Sequence, residues 1–194
     1  MSRIFCIVGK SASGKDTIYK EILSSCPKLI QVIPYTTRPK RIDEKNGVDY
    51  NFVTVEQLND LESEGKVIEK RTYFTTQGAW YYFTLKFETE EDKDYILITT
   101  LEGARGIVKQ YGSESVHIVY LTVDDKTRLL RCIERESKQI NPDYEEVCRR
   151  FIADQKDFAD DKIGAFKNIH YIDTSFDTNE CIKKWFEIYG KTVH

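Results

Sequence analysis

A glycine-rich loop near the start of the chain constrains the fold more than any other stretch. It follows an apolar run at 4–8 and precedes a helical pattern whose apolar positions share one face. The order of strand, glycine loop and helix is the setting in which this spacing binds phosphate, and it favours that interpretation over an ordinary glycine turn. We therefore predict a nucleotide phosphate site in the loop, which consists of Gly9, Lys10, Ser11, Ala12, Ser13, Gly14, Lys15, Asp16 and Thr17.

The residue types in this loop suit an anion. Gly9 and Gly14 permit a tight backbone path whose N–H groups turn inward, and the helix that follows adds the partial positive charge of its N-terminus. Lys15 supplies a compact positive charge for the outer phosphates.

Asp16 is an irregular feature of the loop. The usual motif has a serine or threonine there, whose hydroxyl binds magnesium. A carboxylate repels bare phosphates but is a good hard-oxygen ligand for Mg²⁺. Asp16 is therefore either a magnesium ligand, directly or through water, or an early-helix acid stabilised by the helix dipole. The sequence leaves both interpretations open.

The composition excludes several classes of protein. The 194 residues are 40% hydrophobic and 31% charged, as expected of one globular domain. The net charge of -3 provides no basic field for nucleic acid or membrane, and we find neither an apolar run of transmembrane length nor a signal peptide. The five cysteines are scattered and lack CxxC spacing. We expect a cytoplasmic monomer or homodimer that binds small molecules, not nucleic acid or membrane.

Strands and helices alternate along most of the chain. This alternation predicts an α/β fold with a parallel sheet covered on both faces. Ligands are expected to bind at the carboxyl ends of the strands. Strands are predicted at 29–33, 96–98, 116–121 and 169–172, and helices at 102–111 and 177–189, with Asp124 or Asp125 capping another helix.

An aromatic-rich segment interrupts this alternation. Two strand-like runs, 67–74 and 79–85, flank a turn at Gln77-Gly78, and a capping box at Thr54 begins the helix before them. We predict a small inserted subdomain, most of whose aromatic side chains form its core.

Two clusters of basic residues have alternative interpretations. Thr36-Thr37-Arg38-Pro39-Lys40-Arg41 is either a solvated basic turn or a rigid turn whose arginines capture phosphate. Arg128, Arg131 and Arg135 share one helical face, and Pro142 is predicted to begin a further helix. These helices are either a salt-bridged surface or a lid that closes cations over phosphates. A phosphate loop needs such a partner, which favours the lid.

With these parts identified, the chain resembles the guanylate kinases over nearly its full length. The loop carries the resemblance together with residues 36–41 and 47–53, which are its more specific part. The resemblance implies a P-loop NTPase three-layer fold with a parallel sheet, an inserted small mixed α/β acceptor-binding subdomain and a helical lid. The implied single domain has a core at 1–33, 86–130 and 151–194, an acceptor-binding subdomain at 34–85 and a lid at 131–150.

The resemblance also implies an activity, the ATP-dependent phosphorylation of GMP or dGMP with Mg²⁺. By the resemblance, residues 9–17 bind ATP, Glu69 accepts from the guanine N1 and exocyclic amine, and Thr84 lies near the guanine carbonyl oxygen. The implied contacts to the acceptor phosphate are Arg38, Arg41, Tyr50 and Tyr82. The implied catalytic residues are Lys15, Arg38, Arg41 and the lid arginines Arg135 and Arg150.

The chain departs from the family pattern near the base. Pro34 replaces a serine that touches the base, Phe83 replaces a glycine and is expected to crowd the pocket, and Ile98-Thr99-Thr100 replaces an Asp-x-Asp run. These departures keep two alternatives open: a different phosphorylated acceptor, and a catalytically silent module that binds protein partners. The intact Lys15 and loop glycines oppose the second alternative.

Overall fold

A computed structural model describes residues 2–40, 44–75 and 78–192. Arg41 of the predicted site and Gln77 of the predicted turn lie outside these residues. In chain order the described strands are β1 (Arg3–Val8), β2 (Leu29–Gln31), β3 (Tyr35–Thr36), β4 (Asn51–Phe52), β5 (Val67–Thr75), β6 (Gly78–Leu85), β7 (Asp94–Ile98), β8 (Val116–Thr122) and β9 (Ile169–Asp173). The described helices are α1 (Lys15–Ser25), α2 (Val55–Ser63), α3 (Leu101–Tyr111), α4 (Asp125–Ser137), α5 (Tyr144–Asp157), α6 (Asp160–Ile163) and α7 (Thr178–Lys191).

The main sheet has five parallel strands in the order β2-β7-β1-β8-β9. β1 lies in the middle, with Ile4 opposite Tyr95 of β7 and Val116 of β8. Central parallel strands are buried on both faces, which is why they read as unbroken apolar runs in the sequence. The predicted parallel sheet is confirmed.

Two apolar clusters cover the two faces of this sheet. Alternate residues of β1 belong to different clusters, Ile4 packing with Ile107 of α3 on one face and Phe5 with Ile22 of α1 on the other. Trp185 of α7 is fully buried against Phe5, with ring centroids 5.0 Å apart in an edge-on arrangement. The result is the predicted stack of three layers: helix, sheet, helix.

A second, mixed sheet forms the inserted segment. Its strand order is β4-β3-β6-β5, with β3 and β4 parallel and the other pairs antiparallel. Thr54 caps α2, and the predicted capping box with Gln57 is present in full. The insertion meets the core where β5 packs on α3, because the Cα atoms of Gly103 and Gly106 leave room for the side chains of Ile68 and Glu69.

Several predicted boundaries are wrong by up to two residues, and local contacts explain two of these differences. The strand expected at 29–33 ends at Gln31, because the carbonyls of Ile33 and Pro34 accept hydrogen bonds from Asn51 at the second sheet. The helix expected to begin at Pro142 begins at Tyr144 instead, because the Asp143 side chain accepts from the Glu146 N–H and so caps the helix there.

Other expectations concern the chain as a whole. All five cysteines are free thiols, as their spacing predicted. Within the described residues, no helix has the length and apolarity needed to cross a bilayer. Residues 131–150 comprise the end of α4, a turn and the first half of α5. That these residues move as a lid stays a prediction.

Candidate active site

The loop after β1 has a compact backbone path. A Cβ built at Gly9 would lie 2.5 Å from Ser13 Oγ and 2.8 Å from the backbone oxygen of Leu121, so this position requires glycine. Gly14 has a φ of 82°, a left-handed conformation, and directly precedes α1. The N-terminus of α1, which favours an anion, therefore opens onto the loop.

Lys15 lies folded over the loop. Its Nζ donates to the backbone oxygens of Gly9 at 2.7 Å and Lys10 at 2.9 Å. Burial lowers the pKa of Lys15; the negative charge of Asp16 opposes this, and the positive charge of Arg135 adds to it. Arg135, on α4, therefore lies within electrostatic range of the loop.

The end of α5 is bound to the same loop. Asp154 Oδ2 accepts from the Ser11 N–H at 2.8 Å and from Arg128 Nη1 at 2.7 Å. Arg128 is fully buried, with its guanidinium 4.1 Å from the centroid of the Phe151 ring. This network fixes α4 and α5 against the phosphate loop.

The three arginines that share one face of α4 differ in their contacts. Two of them bind other parts of the protein, and the third is available to a ligand. Arg128 forms ion pairs with Asp125 and Asp154, so the salt-bridged alternative describes this arginine. Arg131 donates to the Thr174 carbonyl at 3.0 Å. Among the described residues, Arg135 has no hydrogen-bond or ion-pair partner, and it is the arginine of this face most available to a ligand.

The second lid arginine lies on α5. Arg150 is 3.5 Å from Glu146, while Arg149 forms two shorter hydrogen bonds, of 2.6 and 2.7 Å, to the same carboxylate. The Nε of Arg150 is buried and lacks a hydrogen-bond partner among the described residues. Within the described part of the chain, Arg150 therefore forms only a long ion pair to Glu146, and its contact with phosphate stays a prediction.

Arg38 lies in a cage of aromatic rings. Its guanidinium is 5.2 Å from the ring centroid of Tyr50 and 5.5 Å from that of Phe52, and its Nε donates to the Tyr82 hydroxyl at 3.0 Å. Both terminal nitrogens donate to Glu44, one of them at 2.7 Å, and this pairing raises the pKa of Arg38. The structure therefore brings together three predicted phosphate ligands: Arg38, Tyr50 and Tyr82.

Tyr50 connects this cage with the phosphate loop. Burial raises the pKa of Tyr50, the positive charges of Arg38 and Arg71 oppose the rise, and the negative charge of Asp16 adds to it. Asp16 belongs to the loop and Tyr50 to the insertion, so the two predicted phosphate sites lie within electrostatic reach of each other.

Glu69 and Thr84, the predicted base contacts, meet in the β5–β6 pair close to Tyr82. They are opposite each other on β5 and β6, and Thr84 Oγ1 donates to Glu69 Oε1 at 2.8 Å. Glu69 is buried against α3, where a Cβ at Gly103 would lie 3.2 Å from Glu69 Cδ. The Thr99 hydroxyl is buried at the same helix and lacks a hydrogen-bond partner among the described residues.

Two of the departures from the family pattern have structural explanations. Phe83 does not crowd the predicted pocket, because it points to the opposite face of β6 from Tyr82 and Thr84 and stacks on Tyr35. Thr100 is the N-cap of α3, its hydroxyl accepting from the Gly103 N–H. The expectation that Phe83 crowds the pocket is therefore wrong.

Several residues of the site were missed from the sequence. Glu44 is the counter-charge of Arg38, Asp154 connects α5 to the loop, and Arg71 pairs with Glu69. Arg71 could have been found, since residues two apart on a strand share a face. Glu44 and Asp154 carry no comparable local signal.

Comparison with known proteins is consistent with this geometry. A family model described as guanylate kinase matches residues 1–161. The chain belongs to the guanylate kinase family. The guanylate kinase of Zymomonas mobilis is 26% identical over 181 residues, which cover 93% of this chain and 80% of that relative. The guanylate kinase of Thermotoga maritima is 32% identical over 112 residues. The predicted family resemblance is confirmed.

The extent of these matches differs. The match to the Thermotoga maritima protein covers 57% of this chain and about half, 54%, of that relative. A crystal structure of guanylate kinase from Anaplasma phagocytophilum superposes with a TM-score of 0.67 at 19% identity, covering 100% of this chain and 87% of that one. This similarity confirms the fold.

The close approach at Gly9 gives a prediction about the loop. We expect Gly9→Ala to weaken ATP binding at least about tenfold, and to lower the free energy of unfolding by about 1–3 kcal/mol, because the added methyl overpacks against the Leu121 carbonyl. Calorimetric titration and urea denaturation measure the two effects. Gly190→Ala is the matched control, because a Cβ there meets nothing within 4 Å and α7 should be unchanged or stabilised. Wild-type ATP affinity in Gly9→Ala would contradict the loop's role.

Proposed function

We propose that this protein is an ATP-dependent nucleoside monophosphate kinase that phosphorylates GMP or dGMP. The observation that supports this best is the proximity of the phosphate loop to the Arg38 cage, where the charge of Asp16 acts on Tyr50. The loop suits the phosphates of a nucleoside triphosphate. The cage suits a single phosphate, and Glu69 of the same sheet suits the base attached to it. Family membership favours the same activity.

The reaction moves the γ-phosphoryl group of ATP onto a phosphate oxygen of GMP. The acceptor is already an anion, so no strong general base is needed, and catalysis consists of alignment and charge neutralisation. The loop N–H groups and Lys15 hold the donor phosphates. Arg38, Tyr50 and Tyr82 hold the acceptor phosphate, and Arg41 is proposed to join them. Arg135 and Arg150 neutralise the transferred group and exclude water when the cleft closes.

The residues present also fit a magnesium ion. Mg²⁺ is usually held by one or two carboxylates together with waters and substrate phosphates, so it needs no complete protein cage. Asp16 is exposed beside Lys15, and its charge reaches Tyr50. We propose Asp16 as the protein ligand, directly or through water. When bound, the ion would supply positive charge that offsets the charge of the phosphates.

An ATP-coupled assay across monophosphates tests the proposed activity. We expect turnover of GMP and dGMP to exceed that of AMP, CMP, UMP and dTMP. Glu69→Gln should reduce the preference by about ten- to a hundredfold, since each base group left without its partner costs about 1–3 kcal/mol. Lys15→Met should lower kcat by about a hundredfold or more while the protein stays folded.

Three outcomes of this assay would contradict the proposal. Full turnover by Lys15→Met would show that Lys15 is not needed for phosphoryl transfer, which contradicts the proposed mechanism. A preference for another phosphorylated compound would change the acceptor. No ATP-dependent product with any monophosphate, combined with tight peptide binding, would identify a catalytically silent module instead.

The magnesium role of Asp16 gives a separate prediction. We expect Asp16→Asn to raise the Mg²⁺ concentration for half-maximal activity by about tenfold, because the amide loses the charge that attracts a hard cation. Magnesium titration at saturating ATP and GMP measures this. Glu21→Gln removes one charge from an exposed position of the same helix and should leave the titration unchanged. An unchanged titration in Asp16→Asn would show that this acid only stabilises α1.

A further inference from the structure

Arg71 adjoins both groups of residues that are proposed to bind the acceptor. It lies on the same face of β5 as Glu69 and is opposite Tyr82 of β6, just as Glu69 is opposite Thr84. Glu69 and Thr84 form the end proposed to read the base, and Tyr82 belongs to the cage proposed to hold the phosphate. A monophosphate that spans these two ends must pass Arg71.

Arg71 also contacts the base-reading carboxylate directly. Its Nε lies 3.2 Å from Glu69 Oε2, while the Thr84 hydroxyl donates to Glu69 Oε1 at 2.8 Å. The Arg71 side chain is 19% exposed and that of Glu69 is 4% exposed, so the pair is largely shielded from water. The positive charge of Arg71 offsets the cost of burying the carboxylate.

These contacts fix how the carboxylate is presented. An ionised carboxylate offers about four lone-pair sites on its two oxygens. Thr84 occupies a site on one oxygen and Arg71 a site on the other, so each oxygen keeps capacity for one more donor. The free capacity suits a ring edge with two adjacent N–H donors, which is the edge that guanine presents.

We propose that Arg71 is a positioning residue that determines base specificity by orienting Glu69 toward two adjacent donors of the acceptor base. The proposal rests on the proposed kinase function and deepens it. Pro34 and Thr100 replace residues that the family pattern leads us to expect near the base. Arg71, which belongs to the insertion, supplies a polar contact to Glu69 there instead.

Calorimetric titration of GMP and IMP tests this, because inosine lacks the exocyclic amine but keeps the same sugar and phosphate. We expect Arg71→Ala to lower the preference for GMP over IMP by about tenfold, the lower range for losing a hydrogen bond to a charged group. In the kinase assay, KM for GMP should rise while kcat and KM for ATP change little. In a Glu69→Gln background, Arg71→Ala should not change the preference further.

Lys70→Ala is the matched control. Lys70 is the preceding residue of β5, points to the opposite face and pairs with Glu62 at 2.6 Å, so its loss removes the same charge outside the pocket. Thermal melting of both variants checks that the sheet stays folded. Equal weakening of GMP and IMP by Arg71→Ala would overturn the proposal and leave only a general attraction of Arg71 for phosphate. Failure of the wild-type protein to bind GMP would instead overturn the proposed function, and the proposal with it.

Discussion

For the proposed reaction, repulsion between two phosphate groups is the constraint that organises the site. A donor and an acceptor that both carry negative charge approach each other only where cations and N–H groups offset the repulsion. The chain places such groups on three separate elements: Lys15 at the phosphate loop, Arg38 in the insertion and Arg135 on α4. Each of these elements belongs to a different part of the fold.

Acidic residues hold several of the basic groups in place. Asp154 binds Arg128 and the Ser11 N–H, so it fixes the helices that carry Arg135 and Arg150 to the loop. Glu44 holds both terminal nitrogens of Arg38 and thereby orients the guanidinium among its aromatic neighbours. Burying Arg128 is tolerable only because it is paired, since removing one partner of a buried pair is strongly destabilising. The site therefore depends on a framework of structural ion pairs.

The fold and the compact path of the glycine loop could be predicted from the sequence because their signals are local. Ile4 to Val8 is an unbroken apolar run, and the spacing of Gly9, Gly14 and Lys15 permits one kind of loop. Partnerships between distant residues could not be predicted, because no local pattern encodes the approach of Asp154 to Ser11, 143 positions apart. Phe83 is a different case, because it could have been placed from the sequence: consecutive residues of a strand point to opposite faces, so Phe83 points away from the face of Tyr82 and Thr84.

The central claim is that one cleft holds a nucleoside triphosphate and a nucleoside monophosphate with their phosphates in line. Calorimetric titration with a bisubstrate analogue, adenosine and guanosine joined by five phosphates, tests this most directly. The account predicts binding about a hundredfold tighter or more than that of ATP or GMP alone, since one molecule would occupy both pockets at once. An affinity no greater than that of ATP, unchanged by Arg38→Ala, would contradict it.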